Sequence, residues 1–207
     1  MISSRIGHRF DPYLNYVLKR FFGERGNPNF FTLLGFLATV TAFFFILTGF
    51  WFWAGLAIIL SGLFDLFDGV MARNLGKVTA FGGFLDSVLD RYSDLLLLLG
   101  FLIYYLEKGS SSLVIVTSFA SIGTALIPYV RARAEAADIP CNVGFMERAE
   151  RIILLSAGTL LDWMAPMLWV LAILTHFTVL HRIFYVWKKL RFQLENEDPK
   201  SKIPNPQ

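Results

Sequence analysis

Residues 29–49 read NFFTLLGFLATVTAFFFILTG, a run that contains no charged side chain. About 20 apolar residues are enough for a helix to cross the hydrocarbon core of a bilayer. Of all 207 residues, 55% are hydrophobic and only 17% are charged, whereas a typical soluble domain has about 25% charged residues. The run therefore predicts a transmembrane helix in a polytopic membrane protein. The single cysteine excludes a disulfide scaffold.

Five more apolar segments follow, so the sequence predicts an all-α fold with six transmembrane helices. These segments are residues 51–73, 84–105, 112–129, 151–164 and 167–187, the fifth extended backwards to Phe145. If both termini lie on one side of the membrane, 18 of the 19 Lys and Arg residues lie on that side, and only Lys108 lies on the other. The positive-inside rule then predicts a multi-pass protein of the cell membrane, with both termini in the cytoplasm.

The two ends of the chain differ from the apolar middle. Residues 1–26 mix apolar residues at helical spacing with Arg and Lys, which predicts an amphipathic helix in the cytoplasmic interface and a linker. Residues 27–192 form the predicted six-helix domain. Residues 193–207 are polar and contain proline, so we expect a disordered tail.

The second and third predicted helices carry carboxylates, although a charge inside a bilayer costs at least about 2.5 kcal/mol. Asp65 and Asp68 are three residues apart, and Asp86 and Asp90 are four apart, so each pair shares one helix face. The short connection between these helices lets the two faces meet. Four converging carboxylates repel one another unless a cation holds them together. Ligands that are all oxygen favour Mg²⁺ or Mn²⁺ over zinc.

Two other interpretations of these carboxylates stay open. They could form structural ion pairs with arginines, the candidates being Arg73, Arg91, Arg131 and Arg133. We expect Asp94, one turn beyond Asp90, to pair with an arginine rather than to bind metal. A six-helix protein with membrane carboxylates could also be an ion transporter. The charges crowd towards one face, however, whereas transport would require them nearer the midplane.

The residues between the carboxylates follow a fixed spacing, Asp65-x2-Asp68-Gly69-x2-Ala72-Arg73-x8-Gly82-x3-Asp86-x3-Asp90. This stretch resembles in full the signature of the CDP-alcohol phosphotransferases (also called CDP-alcohol phosphatidyltransferases), membrane enzymes of phospholipid head-group synthesis. Segments 129–135 (YVRARAE) and 144–151 (GFMERAER) resemble the phosphatidylinositol phosphate synthase branch. That branch often has Lys at the position of Arg131 and Pro at that of Ala149.

The resemblance implies transfer of a phosphatidyl group from CDP-diacylglycerol, or from CDP-archaeol, to inositol 1-phosphate, with release of CMP. It implies two Mg²⁺ or Mn²⁺ ions at Asp65, Asp68, Asp86 and Asp90, with Asp90 as the catalytic base. The implied donor-binding residues are Pro28, Asn29, Thr32, Asp68, Gly69, Ala72, Arg73 and Gly82. Membrane lipids and a second copy of the chain, in a homodimer, are the other expected partners, and nucleic acid is not one.

Arginines at the ends of the last three helices indicate an anionic acceptor independently of the resemblance. The predicted acceptor phosphate-binding residues are Arg131, Arg133, Arg151 and Arg182. Nearby Glu135, Glu147 and Glu150 could orient them. Glycerol 3-phosphate is the main alternative acceptor, giving a phosphatidylglycerophosphate synthase, because it also carries a phosphate. Arg148 could be an ordinary positive-inside residue, and we expect His181 to pack rather than to react.

Overall fold

The structure, a computed structural model, describes residues 27–74, 76 and 78–197. This part of the chain contains six α-helices and no strand, which confirms the predicted all-α fold. The helices are α1 (Pro28–Thr48), α2 (Trp51–Asn74), α3 (Ala80–Glu107), α4 (Ser111–Glu135), α5 (Arg148–Leu160) and α6 (Met164–Glu197). The predicted interfacial helix and residues 198–207 of the predicted tail lie outside the described residues, whereas residues 193–197 of that tail continue α6.

Four of these helices are long and apolar enough to cross a membrane, namely α1, α2, α4 and the part of α6 from Met164 to Phe192. Helix α3 has 28 residues, which is long enough, but its first half carries the carboxylates. Helix α5 has only 13 residues. At about 1.5 Å per residue it measures about 20 Å, less than the bilayer core of about 30 Å.

The predicted start of the fifth helix at Phe145 is wrong, because α5 begins at Arg148. The backbone before Arg148 is held in a loop by side chains of α5 and α6. The carbonyl of Val143 accepts a hydrogen bond from Arg182, and the carbonyl of Met146 accepts one from Arg151. Because the loop carbonyls have these partners, the segment is stable without helical hydrogen bonds.

The helix ends follow from local chemistry. Asn27 caps α1 with its side chain, which accepts a hydrogen bond from the backbone N–H of Asn29 at 3.1 Å. Helix α1 stops at Gly49, whose φ of 76° is a left-handed conformation that glycine adopts without steric cost. Thr79 caps α3, since its hydroxyl accepts from the N–H of Gly82 at 3.0 Å. Both capped N-termini lie next to predicted donor-binding residues.

The main packing contacts connect the six helices in a closed ring. Helix α1 packs on α2 and α3, α2 packs on α5, α3 on α4, and α6 closes the ring by packing on α4 and α5. The largest cluster of buried apolar side chains receives residues from all six helices. Polar residues such as Asp65, Asp90, Arg148 and Arg182 lie at the end of the ring where α1, α3 and α5 begin. The ring therefore has an apolar part and a polar end.

Close helix crossings depend on small residues. Gly123 of α4 faces Thr175 of α6, and a Cβ added at Gly123 would lie 2.7 Å from the Cβ of Thr175 and 2.9 Å from Nδ1 of His176. Gly83, near the start of α3, is exposed and has no atom within 4 Å of an added Cβ. The two glycines are thus a matched pair for testing the α4–α6 contact.

Gly123→Ala should destabilise the protein by about 1–3 kcal/mol, because the added methyl group overpacks the crossing. Gly83→Ala should be neutral or slightly stabilising, since alanine is favoured over glycine in a helix by about 0.5–1 kcal/mol. Thermal unfolding of both variants in the same detergent measures the difference. Equal melting temperatures for the two variants would contradict the close α4–α6 approach.

Candidate active site

The carboxylates of α2 and α3 face one another across the polar end of the ring. Asp65, Asp68 and Asp86 lie close enough for each pair to interact electrostatically. Asp68 is only 6% exposed, and its Oδ2 atom is buried without a hydrogen-bond partner. Leaving a buried carboxylate oxygen unpaired is costly. The structure thus brings the predicted carboxylates together and leaves one of them unsatisfied.

Arg148, the first residue of α5, lies among these carboxylates. Its guanidinium pairs with Asp65 through one terminal nitrogen and with Asp90 through the other. It also interacts electrostatically with Asp68 and Asp86. Arg148, which was not among the candidate arginines considered from the sequence, therefore forms two of these ion pairs. Of those candidates, Arg91 lies 3.8 Å from Asp90.

The donor atoms at this site fit a hard divalent cation. They are carboxylate oxygens from two helices, and the unpaired Oδ2 of Asp68 offers one oxygen that no protein group uses. Within the described ranges, no three acidic, His or Cys side chains are close enough to hold a metal ion as they stand. As they stand, Asp65 and Asp90 each direct one oxygen at the guanidinium of Arg148.

The predicted donor-binding residues converge from three helix segments beside Asp68. Thr32 of α1 lies at the Asp68 carboxylate. The side-chain oxygen of Asn29 lies 3.1 Å from the position of an added Cβ at Gly82, so α1 and α3 touch there. A Cβ added at Gly69 would lie 3.3 Å from the guanidinium of Arg73. Pro28 and Ala72 are partly buried in the same segments. A larger residue at Gly82 would therefore separate the two capped N-termini.

A basic cavity of about 210 Å³ begins at Asp90, on the other side of Arg148. Six charged residues besides Asp90 line it, namely Arg91, Arg131, Glu147, Arg148, Arg151 and Arg182. At about 30 Å³ per water, the cavity has room for about seven waters, which suits a small polar molecule better than a lipid. Its excess of positive charge favours an anion. Three of the four predicted phosphate-binding arginines thus share one cavity with the predicted base.

Two of these arginines are buried and already paired. Arg182 is 1% exposed, and it donates to the carbonyls of Val143 and Ile127 at 2.7 Å each while lying 3.6 Å from Glu147. Arg151 is 5% exposed, pairs with Asp94 and donates to the Met146 carbonyl at 2.9 Å. The expected pairing of Asp94 with an arginine is confirmed. These two arginines hold the loop before α5 in place and form the walls of the cavity.

The other two predicted arginines have different surroundings. Arg131 is half-exposed and pairs with Glu135 at 2.8 Å. It also lines a second, larger cavity of about 860 Å³ between α3 and α4, which contains Asp90 as well. Arg133 is exposed and lines neither cavity. The structure therefore brings Arg131 to the site and does not bring Arg133.

The sequence interpretation missed Arg148 as a member of this site. Arg148 and Arg151 are three residues apart, so they share a helix face, and the burial of Arg151 could have drawn Arg148 inwards with it. The spacing alone does not identify which carboxylates Arg148 meets. His181 stacks against Phe145 and Phe177, with ring centroids 5.9 Å and 6.4 Å away, which confirms the expected packing role.

Comparison with known sequences agrees with this arrangement. A sequence model of the CDP-alcohol phosphatidyltransferase family matches residues 26–187. The archaetidylinositol phosphate synthase of Methanothermobacter thermautotrophicus is 38% identical over 169 residues, covering 79% of this chain and 84% of that protein. The phosphatidylinositol phosphate synthase of Mycobacteroides abscessus is 37% identical over 169 residues, covering 77% of this chain and 76% of that protein.

Solved structures show the same fold. The Mycobacterium tuberculosis phosphatidylinositol phosphate synthase with CDP-DAG bound superposes with a TM-score of 0.74 at 28% identity, over 98% of this chain and all of that one. The same enzyme in complex with manganese and citrate gives a TM-score of 0.74 at 28% identity, over 95% of this chain and 93% of that one. With its carboxylate-bearing helix pair, its basic cavity and these relatives, the chain belongs to the CDP-alcohol phosphatidyltransferase family of membrane enzymes.

Proposed function

We propose that the chain transfers a phosphatidyl group, or its archaeal diether counterpart, from the CDP-activated lipid to inositol 1-phosphate, with release of CMP. The observation that carries this proposal is the position of Asp90, which belongs both to the carboxylate group and to the basic cavity. A base at this boundary can serve an acceptor whose phosphate is held by arginines. The relatives named as inositol phosphate synthases support the choice of acceptor.

In the proposed reaction, the acceptor hydroxyl oxygen attacks the phosphorus that carries the lipid. A new bond forms between this oxygen and phosphorus, and the bond from phosphorus to the CMP oxygen breaks. Asp90 accepts the hydroxyl proton. Its carboxylate is 16% exposed, so it can reach a bound acceptor. Arg131 faces the phosphate of the acceptor, Arg148 lines the same cavity, and Arg151 and Arg182 fix the walls around it.

On the donor side, Asn29, Thr32, Gly69 and Gly82 border the nucleotide, together with Pro28 and Ala72, and Arg73 faces a donor phosphate. Asp65, Asp68, Asp86 and Asp90 would hold the divalent metal, and the unpaired oxygen of Asp68 supports this assignment. A metal held there would neutralise the diphosphate and stabilise the departing CMP. The manganese complex of the M. tuberculosis relative supports Mn²⁺ or Mg²⁺ as the ion, and two ions are proposed from the family resemblance.

The orientation in the membrane and the assembly are also proposals. The concentration of Lys and Arg on one side supports a site that opens to the cytoplasm, where the soluble acceptor and CMP can exchange. The donor lipid would enter sideways from the bilayer. The homodimer remains a prediction from the resemblance.

With CDP-diacylglycerol and Mg²⁺, we expect the purified protein to release CMP at least tenfold faster with inositol 1-phosphate than with glycerol 3-phosphate or with free inositol. Free inositol lacks the charge that the cavity would bind, and glycerol 3-phosphate fills less of it. The rate of CMP release from labelled donor, measured with each alcohol, tests this order. Addition of a metal chelator is the negative control. Faster turnover of glycerol 3-phosphate would make the protein a phosphatidylglycerophosphate synthase instead.

Asp90→Asn should abolish CMP release, with a loss of about 10²-fold or more, because the amide cannot take up the hydroxyl proton. The variant should keep its fold, as measured by its elution from a sizing column. Asp138→Asn, in the exposed turn after α4, is the matched control and should retain full activity. Turnover of Asp90→Asn close to that of the unmodified protein would remove Asp90 from the role of base.

Arg131→Ala should raise the KM for the acceptor phosphate about tenfold or more while changing the KM for the donor by less than twofold. The removed side chain is half-exposed in the cavity and pairs only weakly with Glu135, so its loss should not affect folding. Arg133→Ala, two residues further on and outside both cavities, is the control. Equal increases in both KM values would argue against an acceptor-phosphate contact.

A further inference from the structure

Arg148 lies on the boundary between the carboxylates and the basic cavity. Its two terminal nitrogens pair with Asp65 and Asp90, and the same residue lines the 210 Å³ cavity. Its Nε is buried and makes no hydrogen bond. The side chain is 19% exposed, so it is not fully enclosed by protein. Arg148 therefore contacts both the carboxylates that would hold the metal and the cavity that would hold the acceptor phosphate.

Arg148 pairs with one oxygen of Asp65 and one of Asp90, and both residues belong to the four carboxylates proposed to hold a divalent cation. A guanidinium and a metal ion compete for these two carboxylates, because both are positively charged and repel each other. The space next to the guanidinium is the basic cavity, which has room for a moved side chain. A release of Arg148 would add one positive charge to this cavity at the moment when the carboxylates receive the metal.

The other arginines of the cavity are not suited to such an exchange. Arg151 is held by Asp94 and by the carbonyl of Met146, and Arg182 is held by two carbonyls and Glu147. Neither pairs with a predicted metal ligand in this structure. Arg91 lies 3.8 Å from Asp90, but its side chain is 45% exposed and donates a hydrogen bond to the Ser87 carbonyl. Arg148 alone among these four contacts carboxylates of both α2 and α3.

Resting on the proposed function, we propose that Arg148 exchanges between two ligands. In the metal-free protein it neutralises Asp65 and Asp90. When a divalent cation binds these carboxylates, Arg148 moves into the cavity and binds the phosphate of the acceptor. Metal binding and phosphate binding therefore strengthen each other, and by thermodynamic linkage the two effects are equal. The acceptor site is complete only after the metal site is filled.

The test uses the full-length protein in detergent, with Mn²⁺ and inorganic phosphate as the probes and without donor lipid. Mn²⁺ binding is measured from the electron paramagnetic resonance signal of the free ion, and phosphate binding by calorimetry. We expect saturating Mn²⁺ to increase the affinity for phosphate by about 5-fold to 100-fold, and saturating phosphate to increase the affinity for Mn²⁺ by the same factor.

Arg148→Gln should bind Mn²⁺ at least tenfold more tightly in the absence of phosphate, because no side chain competes for the carboxylates. Its coupling factor should fall to about twofold or less. Arg91→Gln also removes one positive charge beside Asp90, so it is the matched control, and it should keep most of the coupling. Arg148→Lys keeps the charge and should keep part of the coupling.

A thermal-unfolding measurement separates this exchange from a purely structural role. Metal-free Arg148→Gln should melt at a lower temperature than the unmodified protein, since the carboxylates lose their cation, and Mn²⁺ should raise its melting temperature more than it raises that of the unmodified protein. If the metal-free variant does not stay folded, it is purified in the presence of Mn²⁺. Its affinity for phosphate, measured with Mn²⁺, should then equal the affinity of the unmodified protein measured without Mn²⁺.

Unchanged coupling in Arg148→Gln would overturn the exchange, and so would Mn²⁺ binding no tighter than in Arg91→Gln. A destabilised variant that Mn²⁺ does not rescue would also overturn it. The probes contain neither the nucleotide nor an alcohol. A wrong assignment of the acceptor would therefore appear in the CMP-release assay and leave these binding results unchanged.

Discussion

Repulsion between like charges at one end of a largely apolar ring of helices is the constraint on which this structure depends. Two carboxylates about 4 Å apart repel each other by about 4 kcal/mol at an effective dielectric constant near 20. Asp65, Asp68 and Asp86 interact across the gap between α2 and α3, and Asp90 joins them through Arg148. A few such repulsions equal the whole stability of an ordinary domain, and in this structure the positive charge of Arg148 offsets them.

The helices around the carboxylates divide the polar end into two parts. Helix α1 and the N-terminus of α3 approach the carboxylates on one side, where Asn29 meets Gly82 and Thr32 meets Asp68. Helices α4, α5 and α6 form the basic cavity on the other side. Buried pairs such as Arg151 with Asp94 add little net stability, because desolvation offsets their attraction. They do fix the loop before α5, which gives the cavity its shape.

Much of the fold and part of the site could be predicted from the sequence. The apolar runs located all six helices, because burial in lipid requires long uninterrupted apolar stretches. The spacing of the aspartates identified their shared faces. The limits of α5 could not be predicted, since the loop before it is stabilised by side-chain hydrogen bonds from Arg151 of α5 and from Arg182 of the distant α6. For the same reason the role of Arg148 was missed, because ion pairs between helices depend on their packing.

The shortness of α5 has a consequence for how two unlike substrates can meet. A helix of 13 residues ends well inside a bilayer if its other end is anchored at the far surface. Its first residue, Arg148, would then lie below the level of the headgroups, next to the basic cavity. A water-soluble alcohol could descend into this cavity while a lipid keeps its tails in the hydrocarbon. The alcohol would stay in water and the lipid tails would stay in hydrocarbon while the two substrates meet.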